Sequence, residues 1–395
     1  MRINRSGTEG FALACALAAG LGCSGSNGKP AVDSGVDAGP PPLIAHPNPI
    51  ISRHKPTFPS GPAGAVDNTT YHDGGWTTRV TALPASVAIN LGAGPTRLLV
   101  QWDDGGTYNY KDSLTVYGLP MGYTIDVSGD TTDGADGRWS TVVMVTDNAV
   151  RSRGHTIDFT GKSWLRMSIT AAPPNISSNG VQIGEIDVHD ISAVGATGLP
   201  DDTWFFMGDS ITAFAYDRAA AHQPSFAAGV NAALPEYFPA MINGGIGSET
   251  SAMGLARLPE ALALNPDYRF FLLGYGTNDA NHGTVDSFRT NMQAMVDLVK
   301  AAGKIPIIPR IPYSGNAGYA KVPDYNVVVD ELVASNQLIA GPDLFAHFMD
   351  HPEEFTCPPC GTGTPPRTTD NLHPNDVGLA AMNQLWTDAM RPNYP

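Results

Sequence analysis

Thr203-Trp204-Phe205-Phe206-Met207-Gly208-Asp209-Ser210 decides the fold of the C-terminal half. Trp204 to Met207 is apolar without alternation, the pattern of a strand buried on both faces, and a small polar tripeptide closes it. Further apolar runs follow at Met241-Ile242, at Phe270-Phe271-Leu272-Leu273 and at Ile305-Pro306-Ile307-Ile308. Helical periodicity fills the gaps. From Thr284 to Ala302 the apolar residues Val285, Phe288, Met292, Met295, Val296 and Val299 recur three and four apart. Thr284 reads as the N-cap, Asp286 sits in the first turn and Gly303 ends the helix. Strands alternating with helices predict a parallel sheet covered on both sides, with its ligand site at the carboxyl ends of the strands.

Upstream, the period is two. Ser86 to Asn90, Arg97 to Trp102, Leu114 to Tyr117, Tyr123 to Ser128, Trp139 to Val145, His155 to Phe159, Trp164 to Ile169 and Val181 to Val188 are short β-branched runs punctuated by Gly and Asp. They predict an all-β sandwich over 49–197, followed by an α/β domain over 198–395. Tyr123 to Ser128, Asp136-Gly137-Arg138-Trp139, Ser163 to Met167 and Ile183 to Ile186 resemble the galactose-binding-like, or discoidin-type, jelly roll. That resemblance implies carbohydrate binding on loops at one end, and many such domains carry a structural calcium. Asp130, Asp133 and Asp136 do not match an EF-hand loop, so no metal is expected. Trp139 and Trp164 fall inside strand patterns and read as core. Trp102, Tyr108 and Tyr110, in a polar aromatic stretch, are the candidates for stacking on a sugar or for an interdomain contact.

The first 23 residues read as an export signal. Arg2 and Arg5 open it, and Phe11 to Gly22 is too short an apolar run to span a bilayer as a helix. Cys23, directly after that run, reads either as a lipid acceptor tethering the chain to a bacterial envelope or as an incidental cysteine of a plain secretory signal. Residues 24–48, rich in Ser, Gly, Asp, Ala and Pro, read as a flexible linker. A net charge of -15 with no long basic block excludes nucleic acid as a partner. Cys357-Pro358-Pro359-Cys360 reads as a local disulfide in an exported chain. A zinc site there would need two more ligands, and only His347 and His351 lie near, at awkward spacing.

Four islands carry the chemistry: Gly208-Asp209-Ser210, Asn243-Gly244-Gly245, Gly276-Thr277-Asn278-Asp279 and Asp370-Asn371-Leu372-His373. Three of them follow a predicted strand directly. A serine hydroxyl is a weak nucleophile until a base takes its proton. His373 is the candidate base, and Asp370 is placed to hold its tautomer. Attack on an acyl carbon builds an oxyanion, for which the Ser210 N–H, the Gly245 N–H and the Asn278 amide are the candidate donors; Gly244 takes the place of Gly245 if the register shifts by one. Asp279 reads as structural. His222, His282, His347 and His351 show no ligand spacing and read as surface or supporting residues.

In their order, these islands resemble the SGNH, or GDSL, hydrolases over about 200–392. The resemblance implies a flavodoxin-like three-layer α/β/α domain without a cofactor. It implies Ser210 as nucleophile, His373 as base, Asp370 as its partner, and an oxyanion hole of Ser210, Gly245 and Asn278. Residues 350–368 look inserted before the Asp-His turn, on the rim of the acyl pocket. Together with export and the β domain, the expectation is a secreted or surface-anchored serine esterase that removes small acyl groups, acetyl foremost, from a polysaccharide or oligosaccharide. A lipid-directed esterase or lysophospholipase would use the same residues. A non-catalytic surface carbohydrate-binding protein is the alternative of a different class.

Overall fold

The computed structural model of the chain describes residues 42–60, 76–78, 82–103, 119–173, 180–216, 220–355 and 371–395. Outside them lie the signal region with Cys23, the strand expected at Leu114 to Tyr117, Tyr108, Tyr110, Cys357, Cys360 and Asp370.

The N-terminal part is antiparallel. Its strands are β1 (Thr57–Phe58), β2 (Trp76–Thr78), β3 (Ala85–Asn90), β4 (Arg97–Asp103), β5 (Gly122–Ser128), β6 (Ser140–Val145), β7 (Ser152–Asp158), β8 (Trp164–Ala171), β9 (Val181–Ile183) and β10 (Glu185–Asp190). They form a five-stranded sheet, β1-β3-β8-β5-β6, a three-stranded sheet, β10-β4-β7, and the pair β2-β9. Alternate residues of both larger sheets, among them Val87, Leu98, Ile125, Leu165, Met167 and Ile186, meet in one buried core, as the period-two pattern requires of a sandwich. The single run expected from Val181 to Val188 is divided at Gly184 into β9 and β10, which pair with different strands.

The C-terminal part is parallel: β11 (Thr203–Gly208), β12 (Ala240–Gly245), β13 (Phe270–Gly274), β14 (Ile305–Arg310) and β15 (Ile339–Asp343), in the order β12-β11-β13-β14-β15. This 2-1-3-4-5 order is the flavodoxin arrangement. Its helices are α1 (Ser210–Ala215), α2 (Phe226–Ala233), α3 (Ser251–Leu264), α4 (Thr277–His282), α5 (Val285–Ala301), α6 (Val322–Asn336), α7 (Leu344–Asp350) and α8 (Asp376–Met390). Phe205 and Met207 face the layer of α3, α5 and α6, while Trp204 and Phe206 face that of α1, α2 and α8. Both faces of β11 are therefore apolar, which is why its sequence shows no alternation. Thr284 caps α5 through a reciprocal bond with Ser287, and Gly303 ends it at φ 71°.

Residues 42–48 differ from the expected linker. Ile44 is fully buried in the layer beneath Trp386, and its N–H bonds Asn393. Asn48 exchanges hydrogen bonds with the Phe238 backbone, its Nδ2 to the carbonyl at 2.8 Å and its Oδ1 from the N–H at 3.0 Å. This segment is a strap on the α/β domain, because one isoleucine and one asparagine find buried partners that composition does not reveal.

The three-stranded sheet docks on the amino ends of the parallel strands. Thr156 donates from N and Oγ1 to Asp267, just before β13 (3.3 and 2.9 Å). The Tyr268 hydroxyl donates to Gln101 at 2.7 Å, and Gln101 Nε2 donates to the Met241 carbonyl. Leu99, Ile191 and Ala240 form a small apolar cluster across the joint. The sandwich thus sits one strand length, roughly 20 Å, from the carboxyl ends.

Candidate active site

Three neighbouring strands end in glycine at one level. Gly208 is in register with Gly245 of β12 on one side and with Gly274 of β13 on the other. A Cβ at Gly245 would lie 2.7 Å from Ala213 Cα, and one at Gly274 would lie 2.9 Å from Thr212 Oγ1. The missing side chains let α1 settle onto the sheet edge, so its first residue, Ser210, stands where the strand order reverses. Asp209 caps α1 by accepting from the Ile211 N–H at 2.9 Å. Burial, and then the nearby Asp279 and Glu249 charges, push the Asp209 carboxyl up to about 7.

Ser210 Oγ lies 2.8 Å from His373 Nε2, 163 residues later in the chain. The imidazole packs edge-on against Phe214 of α1, with centroids 5.6 Å apart. Its turn is fixed at both ends. Ser314 Oγ donates to the Asn371 carbonyl at 2.7 Å, with Asn371 in the left-handed region at φ 53°. Asn375 then caps α8 by accepting from the Gly378 N–H at 3.1 Å. His222, expected at the surface or in a supporting place, is buried, with Nε2 3.2 Å from Asp376 in the first turn of α8.

Asn278 follows β13. Gly276, at φ 126°, makes the turn that a side chain would jam against Ile311. Asn278 Nδ2 donates to the Glu249 carbonyl at 2.9 Å, which occupies one of its two amide protons. Asp279 is structural, as read: it accepts from the Ser251 N–H at 2.9 Å, capping α3 from outside because Thr250 makes no side-chain cap. The Gly245 N–H donates to Asn243 Oδ1 at 3.1 Å, and Asn243 Nδ2 donates to Ala213 at 2.8 Å. The structure thus brings Ser210, Gly245 and His373 to one edge, with Asn278 in the first turn after the neighbouring strand.

Trp102 is not brought there. It is fully buried in the sandwich core, edge-on to Tyr123 at 5.3 Å, so it has no free face for a sugar. Trp139, read as core, is partly exposed instead: it lies just before β6 and covers the Arg166 guanidinium at 4.2 Å. Sequence reasoning missed Ser314, Phe214 and the buried set Glu249, Arg257 and Tyr275. Among the described residues, no group of three or more His, Cys, Asp or Glu side chains could hold a metal ion.

A flavodoxin-order sheet with a serine hydroxyl bonded to an imidazole at its carboxyl edge defines an α/β hydrolytic domain. Residues 206–381 match the GDSL-like Lipase/Acylhydrolase family. No curated protein matches the chain by sequence. Among solved structures it is similar to the lipase/acylhydrolase from Enterococcus faecalis, at 24% identity over 47% of this chain and 93% of that one, with a TM-score of 0.38. It is also similar to an acetylxylan esterase from Geobacillus stearothermophilus, at 17% identity over 48% and 94%, with a TM-score of 0.39.

Proposed function

We propose that the chain is a secreted or surface-anchored serine esterase that removes short acyl groups, acetyl foremost, from carbohydrate. The observation that carries this is the 2.8 Å approach of Ser210 Oγ to His373 Nε2 at the carboxyl edge of the sheet. With the ring proton on Nδ1, the serine hydroxyl donates to Nε2. The oxygen attacks the acyl carbon as the proton passes to the imidazole. The N–H of Ser210 and the second amide proton of Asn278 hold the tetrahedral oxyanion, each donor contributing roughly 3 kcal/mol, while the Gly245 N–H, expected as a further donor, bonds Asn243 Oδ1. Collapse returns the proton from His373 to the departing alcohol, leaving acyl-Ser210. Water, deprotonated by the same imidazole, then releases the acid. Asp370, which lies outside the described residues, is proposed to hold the His373 tautomer.

The carbohydrate part rests on the export signal and on the resemblance of the β domain.

The test is acetate release from a panel of acetylated polysaccharides, beside p-nitrophenyl esters of rising chain length, with Ser210→Ala as control. Activity confined to short esters, with at least one polysaccharide deacetylated, is expected. Rates that climb toward long chains would favour the lipid-directed reading, and unchanged turnover by Ser210→Ala would remove the nucleophile.

A further inference from the structure

The turn that carries the imidazole is held by a post that none of the four islands contains. Residues 371–375, just before α8, form neither helix nor strand, so contacts with other segments fix their backbone. At the far end the Asn375 N–H donates to the Glu354 carbonyl at 2.6 Å, and Asn375 Nδ2 donates to the Glu353 carbonyl at 3.1 Å. At the near end the Ser314 hydroxyl donates to the Asn371 carbonyl at 2.7 Å. Ser314 Oγ also accepts from the Asn316 N–H at 3.2 Å. A hydroxyl has a single proton, and a carbonyl only accepts, so that proton belongs to Asn371.

Ser314 is itself held in place. It lies four residues after β14 and is 9% exposed. Asn326 of α6, fully buried, grips the start of this loop from both sides. Its Oδ1 accepts from the Ile311 N–H at 2.7 Å, and its Nδ2 donates to the Ile311 carbonyl at 3.0 Å. Pro312 then fixes one backbone angle, and Tyr313 packs edge-on against Phe345 with centroids 5.8 Å apart. A line of short bonds thus runs from α6 through Ile311 and Ser314 to Asn371, two residues before His373.

We propose that Ser314 is a positioning residue for the general base: its bond to the Asn371 carbonyl sets where the turn presents the His373 imidazole, and with it the 2.8 Å reach to Ser210. The proposal rests on the esterase reading above. Two observations favour this over a bond that merely ties loop to loop. Asn371 stands in the left-handed region at φ 53°, sparsely populated without glycine, and the Ser314 bond fixes the peptide that leaves it. The anchored carbonyl is also two peptide units from a ring with little tolerance, since a base must stay within about 2.6–3.2 Å of the group it deprotonates.

The experiment compares Ser314→Ala and Ser314→Thr with the wild type. The readouts are kcat and KM for p-nitrophenyl acetate, the rate of Ser210 sulfonylation by phenylmethylsulfonyl fluoride, and the melting temperature. A drift of a few tenths of an ångström predicts a kcat decrease of about fivefold to thirtyfold for Ser314→Ala, given roughly 100-fold for 1 Å, with KM nearly constant. Sulfonylation needs the same imidazole and should slow in proportion. Ser314→Thr keeps the hydroxyl and should recover most of the loss. Because Ser314 acts through His373, Ser314→Ala should lower the residual rate of His373→Ala by less than about threefold. Should Ser314→Ala fail to fold, Ser314→Cys, close in volume and a weaker donor, carries the test. A folded Ser314→Ala with kcat and sulfonylation within about threefold of the wild type would overturn the positioning role. So would a loss that appears in KM alone, or one of the same size in the His373→Ala background. A wild type that neither hydrolyses the ester nor reacts with the sulfonyl fluoride would instead sink the esterase reading itself.

Discussion

Gly245→Ala asks whether the end of β12 must lie against the helix that presents the serine. The added Cβ would sit 2.7 Å from Ala213 Cα and 2.9 Å from the Thr212 carbonyl carbon, where ordinary contacts begin at 3.4 Å. Both neighbours are backbone, so no side chain can swing aside. α1 and β12 must separate by at least about 0.7 Å, the gap between 2.7 and 3.4 Å. Ser210 is the first residue of α1, so the hydroxyl moves relative to the Gly245 N–H and to His373. Misplacement on the 1 Å scale costs roughly 100-fold in rate, or about 2.7 kcal/mol of transition-state stabilisation. Overpacking should also lower folding stability, by about 1–3 kcal/mol. The assay is steady-state hydrolysis of p-nitrophenyl acetate, with a circular dichroism melt to establish that the variant is folded at the assay temperature. A folded variant whose kcat stays within about threefold of the wild type would refute the packing argument.

Two further outcomes are expected. Asp267→Ala removes both bonds from Thr156 at the joint with the sandwich and should lower stability by about 1–3 kcal/mol, read by urea melts. Because that joint lies at the opposite end of the sheet, its kcat should be unchanged; a large fall would mean the sandwich acts on the site. Burial pushes the Asp202 carboxyl up from 3.8 to about 7, with Trp204 Nε1 and the Tyr394 hydroxyl donating to it at 2.7 and 2.8 Å. A raised folded value makes its contribution full below the ordinary carboxylate range and lost as pH rises through about 7. Asp202→Asn should therefore gain stability over the wild type at alkaline pH but not at acid pH, and parallel stability curves for the two proteins would contradict this.

The α/β half was legible because burial on both faces writes itself into composition. Phe205-Phe206-Met207 shows no alternation since each face of β11 meets a helical layer, and the three-four spacing of α5 is its buried face. β15 went unread: Ile339-Ala340-Gly341-Pro342-Asp343 is a half-exposed edge strand whose identity comes from pairing with β14. Val181 to Val188 looked continuous because one glycine is too little to announce a change of partner. The pairing of Ser210 with His373 was readable because short motifs fix residue types. Ser314 was not, because its role arises from a contact that no local spacing encodes. Trp102 misled for a related reason: a tryptophan beside a polar aromatic stretch resembles a surface residue until the sandwich closes over it.

The most direct measurement is the fate of the acyl group itself. Wild-type protein mixed with p-nitrophenyl acetate, quenched in acid within the first turnover and digested, should yield the peptide containing Ser210 carrying the mass of one acetyl group. The adduct should be absent from Ser210→Ala and should accumulate far more slowly in His373→Ala. Acetate released at the wild-type rate with no acyl group on Ser210 at any quench time, or with the label on another residue, would contradict the account.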